Sequence, residues 1–502
     1  MLDRVVREAA AQYGDDPAYR TAEGWTVSYR QLDRLSDEVA AGLARRGVEA
    51  GDVVVLVMPS VVDYIVAYLG AAKRGAITAG CNPRLRPDER ARVIDIADPA
   101  LVLAAASLAD GVPDHVETLA VEPARAVDDI LPDLRLRGAT VDALADEPDR
   151  PVVICFTSGS TGAPKGALFT NRQLQAVSDL DTGGAWGGGG ARIAPTEFAH
   201  VGIMTKLPWM LAAGGTTHLV AKWRAGPILE LIDRHRISAV SGVAPQIALM
   251  LQVPDLDRFD FDCVHAVVAG GSASPPALVA EARRVFGAPY SIRYSSTESG
   301  GVGLGTALDA DDDEALHTIG RPRPGVEADV RDERGRRVQQ GDIGELWIRS
   351  PAVMDRYWND PAATDAALVE GWLRTGDLAR VDERGLFRLA GRLTEMFIRG
   401  GYNVYPAEVE AVLGTHPAVA EVAVVPRPDP VMGEIGVAVV VARRGHPPPA
   451  VDELRTHGAH QLAGYKLPEA LRVVDALPRN GTDKVDRRAL AEIERQVRPH
   501  PS

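Results

Sequence analysis

Apolar and polar positions over the first 110 residues alternate between helix-period and strand-period blocks. A helical pattern follows Ser28, and the apolar run Val53–Met58 reads as a buried strand. A helix is expected over about Val61–Lys73, and a short strand follows Leu101. Ser60 and Asp63 have the spacing of a capping box at the start of that helix. The pattern resumes with a strand at Val152–Phe156, a Gly/Ser/Thr loop and a helix from about Asn171. Buried strands are expected at Ala239–Val243 and Val264–Val268. Strands alternating with helices predict parallel sheet covered by helices on its faces. From Val326 to Arg349 the blocks shorten and turn sequences separate them, which predicts a β-rich subdomain. A boundary falls near Gly391–Glu395. Beyond it, a helix at Pro406–Gly414, strands at Val419–Val425 and Val437–Val441, and a helix at Val451–Leu462 predict a small α+β domain. The expected fold class is α/β, with a large N-terminal domain over residues 1–393 and a small C-terminal domain over 394–502. Thr182–Gly190 is low in complexity and is expected to be a mobile loop.

Composition narrows the choice of ligand. The chain has 502 residues, 46 % of them hydrophobic, and a net charge of −14. Such an acidic surface argues against nucleic acid or a membrane surface as partner. Any anionic substrate must then be held by local cations, backbone amides or a metal. The three cysteines, Cys81, Cys155 and Cys263, are scattered and have no metal-ligand spacing, which suits reduced thiols in a cytoplasmic protein. The N-terminal residues lack a signal-peptide apolar run. The most apolar stretch, Val53–Ala72, contains Pro59 and Asp63, so no integral membrane segment is expected.

The densest candidate chemistry is Thr157-Ser158-Gly159-Ser160-Thr161-Gly162-Ala163-Pro164-Lys165-Gly166, directly after an apolar strand. Small residues let backbone amides approach phosphate oxygens, hydroxyls donate hydrogen bonds, and the lysine adds a point charge. The string suits a triphosphate but lacks Walker A spacing, because Pro164 stands where the second glycine would fall.

This loop resembles the signature of the adenylate-forming superfamily, which includes acyl-CoA synthetases, luciferases and peptide-synthetase adenylation domains. Other strings follow in that superfamily's order. Gly270-Gly271-Ser272 resembles the turn along adenine that opens the acyl pocket. Tyr294-Ser295-Ser296-Thr297-Glu298 resembles the motif whose tyrosine packs on adenine and whose Thr-Glu pair meets phosphate and Mg²⁺. Gly371–Asp377 is similar to the motif whose aspartate accepts from both ribose hydroxyls, here Asp377. Gly391-Arg392 resembles the hinge motif, whose arginine reaches ribose and phosphate. Arg399–Pro406 resembles the start of the mobile C-terminal domain, and Pro478–Lys484 the loop that carries the lysine of the first half-reaction. His200 stands where many relatives place a histidine beside the carboxylate pocket; the plainer reading is a packed structural histidine.

The resemblance implies ATP-dependent joining of a fatty or aryl carboxylic acid to AMP, then transfer to a thiol. Lys484 would bridge the carboxylate and the α-phosphate, offsetting repulsion between two anions. Glu298 would hold Mg²⁺, for which a carboxylate is a suitable hard ligand. The acceptor implied is CoA or the phosphopantetheine of an acyl carrier protein. A specialised-metabolism enzyme with another nucleophile, such as an ATP-dependent diazotase using nitrite, is the alternative. The chain is expected to be a monomer or homodimer. Four positions depart from the pattern. Thr394 replaces the usual hinge Asp or Lys, Asp483 replaces the glycine before Lys484, and Arg293 and Ser295 replace glycines flanking Tyr294.

Overall fold

A computed structural model of the chain describes residues 1–157, 164–194, 197–220, 222–272, 274–400, 402–480 and 484–496, with backbone alone for the last two. Its contacts divide it into two compact units, Met1–Ala328 with Ile348–Arg374, and Asp329–Trp347 with Thr375–Ser502. This packing division groups residues 375–393 with the second unit, whereas the sequence places the functional boundary after Leu393.

The first unit is built on a seven-stranded sheet. Five of its strands are parallel: Pro151–Phe156, Ile77–Gly80, Val53–Val57, Leu101–Ala105 and Thr118–Val121. Val53–Val57 is buried at every position, as an apolar run covered on both faces should be. Gly166–Thr170, which the periodicity did not reveal, pairs antiparallel with Pro151–Phe156. Its Thr170 then caps the helix Asn171–Thr182. A second sheet holds Ala239–Gly242, Ala266–Gly270 and Tyr290–Tyr294 in parallel, followed by two short antiparallel strands. The strand expected at Val264–Val268 starts two residues later, because the Val264 and His265 amides are committed to Phe261 and Ser238 carbonyls.

Helices Tyr29–Arg45 and Val62–Arg74 pack together over the first sheet. Ser28 and Gln31 form a capping box on the first helix. The capping box expected from Ser60 and Asp63 is absent. Val61 is the N-cap, the Ser60 hydroxyl donates to Glu197, and the Asp63 carboxylate accepts from the Ala124 and Leu131 amides. Those long-range donors compete successfully with the local helix end. The glycine-rich stretch after Thr182, expected as mobile, is tied down. Gly187 and Gly189 donate their amides to the Ala212 and Ala213 carbonyls. Cys81 and Cys155 are fully buried beside the central strands, and burial pushes the Cys81 thiol up to about 12. Among the described residues, no helix is long and apolar enough to cross a membrane.

In the second unit, Val419–Asp429 and Gly433–Ala442 form a long antiparallel pair, with Ala470–Val474 added in parallel. Helices Pro406–Leu413 and Val451–Gly458 bury Val409, Leu413 and Leu454 against this sheet. The observed class is α/β with a larger and a smaller part, as the alternation predicts.

A buried ion cluster locks the first unit. Lys73 Nζ, fully buried, lies 2.5 Å from Asp33 Oδ1 and 2.7 Å from Asp37 Oδ1. Replacing it with methionine leaves the two carboxylates with only the partly exposed Arg7 as cation. Lys73→Met is expected to destabilise the first unit by about 3–5 kcal/mol, seen as a lower chemical-denaturation midpoint. An unchanged midpoint would show that the cluster contributes nothing.

Candidate active site

Strand pairing closes the base of the expected phosphate loop. The Thr157 amide donates to the Lys165 carbonyl at 2.9 Å, and the Lys165 amide donates to Thr157 Oγ1 at 3.3 Å. Ser158, Gly159, Ser160, Thr161 and Gly162 lie outside the described residues. The Lys165 ammonium sits 5.1 Å from the centre of the Tyr357 ring. The hydroxyl of that tyrosine donates to Glu298 Oε1 at 2.9 Å. Burial, then the Glu298 charge, pushes the Tyr357 hydroxyl far above its ordinary value, so it remains a donor. Thr157, Lys165, Tyr357 and Glu298 thus form one chain of contacts from the loop base to a half-buried carboxylate.

The Tyr294–Glu298 segment leaves its strand in a tight, self-bonded turn. Ser296 and Ser299 exchange side-chain and backbone hydrogen bonds, and the Thr297 carbonyl accepts from the Gly300 amide at 3.1 Å. Gly303 lies so close to the Tyr294 carbonyl that any side chain there would clash. Gly270 and Arg293 are register partners in the parallel pair, which brings Gly270–Ser272 beside Tyr294. Gly271 has φ +74°, a left-handed conformation that favours glycine. Ser272 Oγ accepts from the Ala244 amide at 3.3 Å, tying this turn to the end of the neighbouring strand.

His200 sits at the N-cap of the short helix Val201–Met204, with its Nε2 3.3 Å from Asn82 Nδ2. Nearby, Glu197 receives the Ser60 hydroxyl at 2.9 Å and Arg84 Nε at 3.1 Å. A cavity of about 370 Å³ lies at the strand Ala239–Gly242. Trp209, Trp223, Ile228, Ile232, Ile237 and Met250 make most of its wall apolar.

Asp377, Arg392 and Lys484 belong to the second unit. Asp377 and Arg392 are register partners in an antiparallel pair, and Arg392 Nε lies 2.9 Å from Asp377 Oδ1. Glu345 supports this strand by accepting from the Gly376 amide at 3.1 Å and from the Trp347 indole. A carboxylate that accepts and a guanidinium that donates, side by side, suit a vicinal diol joined to a phosphate. Lys484 is exposed, and its amide donates to the Asn480 side chain at 3.1 Å. Among the described residues no group of three or more His, Cys, Asp or Glu is placed to hold a metal. That donor set fits Mg²⁺ carried largely by nucleotide phosphates and steadied by the single carboxylate of Glu298.

Sequence reasoning missed Tyr357, Asn82 and Glu345. Each reaches its partner through tertiary contact or strand pairing rather than a local string. Given the expected role of Glu298, Tyr357→Phe should slow acyl-adenylate formation about tenfold or more while the fold persists, because it removes one hydrogen bond to a charged group. Pyrophosphate release measured beside the melting temperature checks this; an unchanged rate would remove Tyr357 from the site.

The family described as "AMP-binding enzyme" matches residues 6–358, and "AMP-binding enzyme C-terminal domain" matches residues 408–484. The chain is 32 % identical to a fatty acid–[acyl-carrier-protein] ligase of Streptomyces coeruleorubidus, covering 94 % of this chain and 92 % of that one. It is 34 % identical to a feruloyl-CoA synthase of an Amycolatopsis species, covering 92 % and 93 %. Among solved structures, ATP-bound MatB from Rhodopseudomonas palustris superposes with a TM-score of 0.87 at 27 % identity, covering 99 % of each chain. Similar in sequence and in fold along nearly its whole length to these ligases, the chain belongs to the AMP-binding enzyme family and is an AMP-forming acid–thiol ligase of the acyl-CoA synthetase type.

Proposed function

We propose that this enzyme binds ATP with Mg²⁺ in the cytoplasm, activates a fatty or aryl carboxylic acid as acyl-AMP, and transfers the acyl group to CoA. The contact chain from Thr157 and Lys165 through Tyr357 to Glu298 carries this reading. It aligns a cation, a hydroxyl donor and a metal-competent carboxylate along one path, as a polyphosphate requires. Bound Mg²⁺ supplies charge neutralisation on the phosphates. Lys165 and the loop amides orient the triphosphate. Tyr357, held protonated, fixes the position of Glu298. Asp377 accepts from the ribose hydroxyls, and Arg392 donates to ribose and phosphate. The apolar wall of the 370 Å³ cavity suits the hydrocarbon part of the acid.

The chemical step joins two anions. A carboxylate oxygen attacks the α-phosphorus, the bond to pyrophosphate breaks, and pyrophosphate departs. Lys484 is the group proposed to bridge the two anions as the bond forms. The thiol then attacks the acyl carbon, and AMP leaves. Residues 394–502 act as the moving domain, and rotation at Thr394 exchanges the two half-reactions. Carrier-protein phosphopantetheine is the second acceptor to test, since one similar ligase is named for it.

Lys484→Ala should slow acyl-AMP formation by about a hundredfold or more and spare thiol transfer from synthetic acyl-AMP. Acyl-AMP formation at the wild-type rate would refute the assignment. Thr394→Pro should do the reverse, keeping adenylation and losing transfer. If both half-reactions survive in Thr394→Pro, the rotation does not occur at this residue.

A further inference from the structure

Three residues after Lys484, an arginine gathers two carboxylates from distant parts of the second unit. Arg487 opens the helix Arg487–Gln496. Its Nη1 and Nη2 donate to Glu410 Oε1 and Oε2, each at 2.6 Å, as a bidentate fork. Its Nε lies 3.1 Å from Glu395 Oε2. Nη1 also donates to the Val424 carbonyl at 3.1 Å, and Glu410 accepts the Val424 amide at 2.6 Å. The group is mostly buried, with the Glu410 side chain 15 % exposed and that of Arg487 25 %. Arg487 is thereby pinned at once to the helix Pro406–Leu413 and to the strand Val419–Asp429.

Glu395 gives this pin its bearing on the reaction. It directly follows Thr394, the expected hinge. Its amide donates to the Arg392 carbonyl at 3.1 Å, and Arg392 is the partner of Asp377. The backbone around Lys484 is held from its other side as well. The Asp486 amide donates to the Pro478 carbonyl at 2.7 Å, Val485 bridges to Arg479, and Arg479 Nη2 lies 2.7 Å from Glu421 on the same strand as Val424. Lys484 thus stands between a loop base anchored on the strand and an arginine anchored beside the hinge.

Resting on the reading of Lys484 as the group that bridges the two anions, we propose that Arg487 is a positioning residue for adenylation. With Glu395 and Glu410 it fixes the backbone that carries Lys484 relative to the residue after the hinge. The lysine stem is long and flexible, so the path of its backbone decides where the ammonium can reach. A misplacement of about 1 Å costs on the order of a hundredfold in a step that depends on orientation. Lysine at position 487 would keep the charge, but one ammonium lacks the planar fork that grips Glu410 while reaching Glu395.

The test follows both half-reactions in the full-length enzyme, with ATP, Mg²⁺ and a panel of hexanoate, palmitate, benzoate and ferulate. Arg487→Gln should lower kcat for acyl-AMP formation by about tenfold or more and leave KM for ATP and acid nearly unchanged. Transfer from synthetic acyl-AMP to CoA should persist, and Arg487→Lys should recover part of the lost rate. In a Lys484→Ala background, Arg487→Gln should cost nothing further, because it acts through the lysine. Glu395→Gln keeps the fork to Glu410 and should slow the same step by a smaller factor; it decides the matter if Arg487→Gln does not fold. A wild-type kcat in the folded variant would overturn the inference and leave Lys484 its role. An equal loss in both half-reactions, or a full further loss in the Lys484→Ala background, would overturn it too and reduce Arg487 to a brace of the small domain. Acyl-AMP formation at the wild-type rate in Lys484→Ala, or from none of the acids in wild type, would overturn it together with the reading beneath it.

Discussion

Parallel strand pairing is the constraint on which the first unit depends. When neighbouring strands run the same way, their carboxyl ends meet at one edge of the sheet, where ligands of α/β proteins gather. In the larger sheet, Val53–Val57, Ile77–Gly80 and Pro151–Phe156 deliver Ser60, Asn82 and Thr157 to one edge. In the second sheet, Ala239–Gly242, Ala266–Gly270 and Tyr290–Tyr294 do the same for Val243, Gly271 and Ser295. Residues far apart in the chain thereby become neighbours without long structural detours. The antiparallel strand Gly166–Thr170 adds the return path that closes the base of the expected phosphate loop at Thr157 and Lys165.

Charge is the second theme. In a chain of net −14, the cations at the candidate site are concentrated locally rather than spread as an overall field. Lys165 stands on an aromatic ring, Arg392 faces a carboxylate across a strand pair, and Lys206 and Arg323 share one aspartate. Each cation is oriented by a neighbour. Orientation before the ligand arrives lowers the reorganisation that binding would otherwise require.

The α/β class and the smaller α+β part were legible in the periodicity, because strands such as Val53–Val57 are apolar at every position. The strings around Tyr294, Asp377 and Lys484 stood out in the sequence because a resemblance to the family rests on particular residue types close together in sequence. What escaped was carried by tertiary contact. Tyr357 meets Glu298 across a separation of 59 residues, Asn82 meets His200 across 118, and Arg323 meets Asp181 across 142. No local pattern encodes such pairs. The failed capping box has the same origin: Ser60 and Asp63 had suitable spacing, yet distant partners at Glu197, Ala124 and Leu131 claimed their side chains.

Cys81 and Cys155 give the central sheet an internal reporter. Both thiols are buried beside the strands that present Asn82 and Thr157, and burial holds the Cys81 thiol in its unreactive protonated form. Electrophiles and oxidants that act on thiolate therefore find little to attack while the sheet is closed. Alkylation of these two positions becomes a clock for opening of the sheet around them.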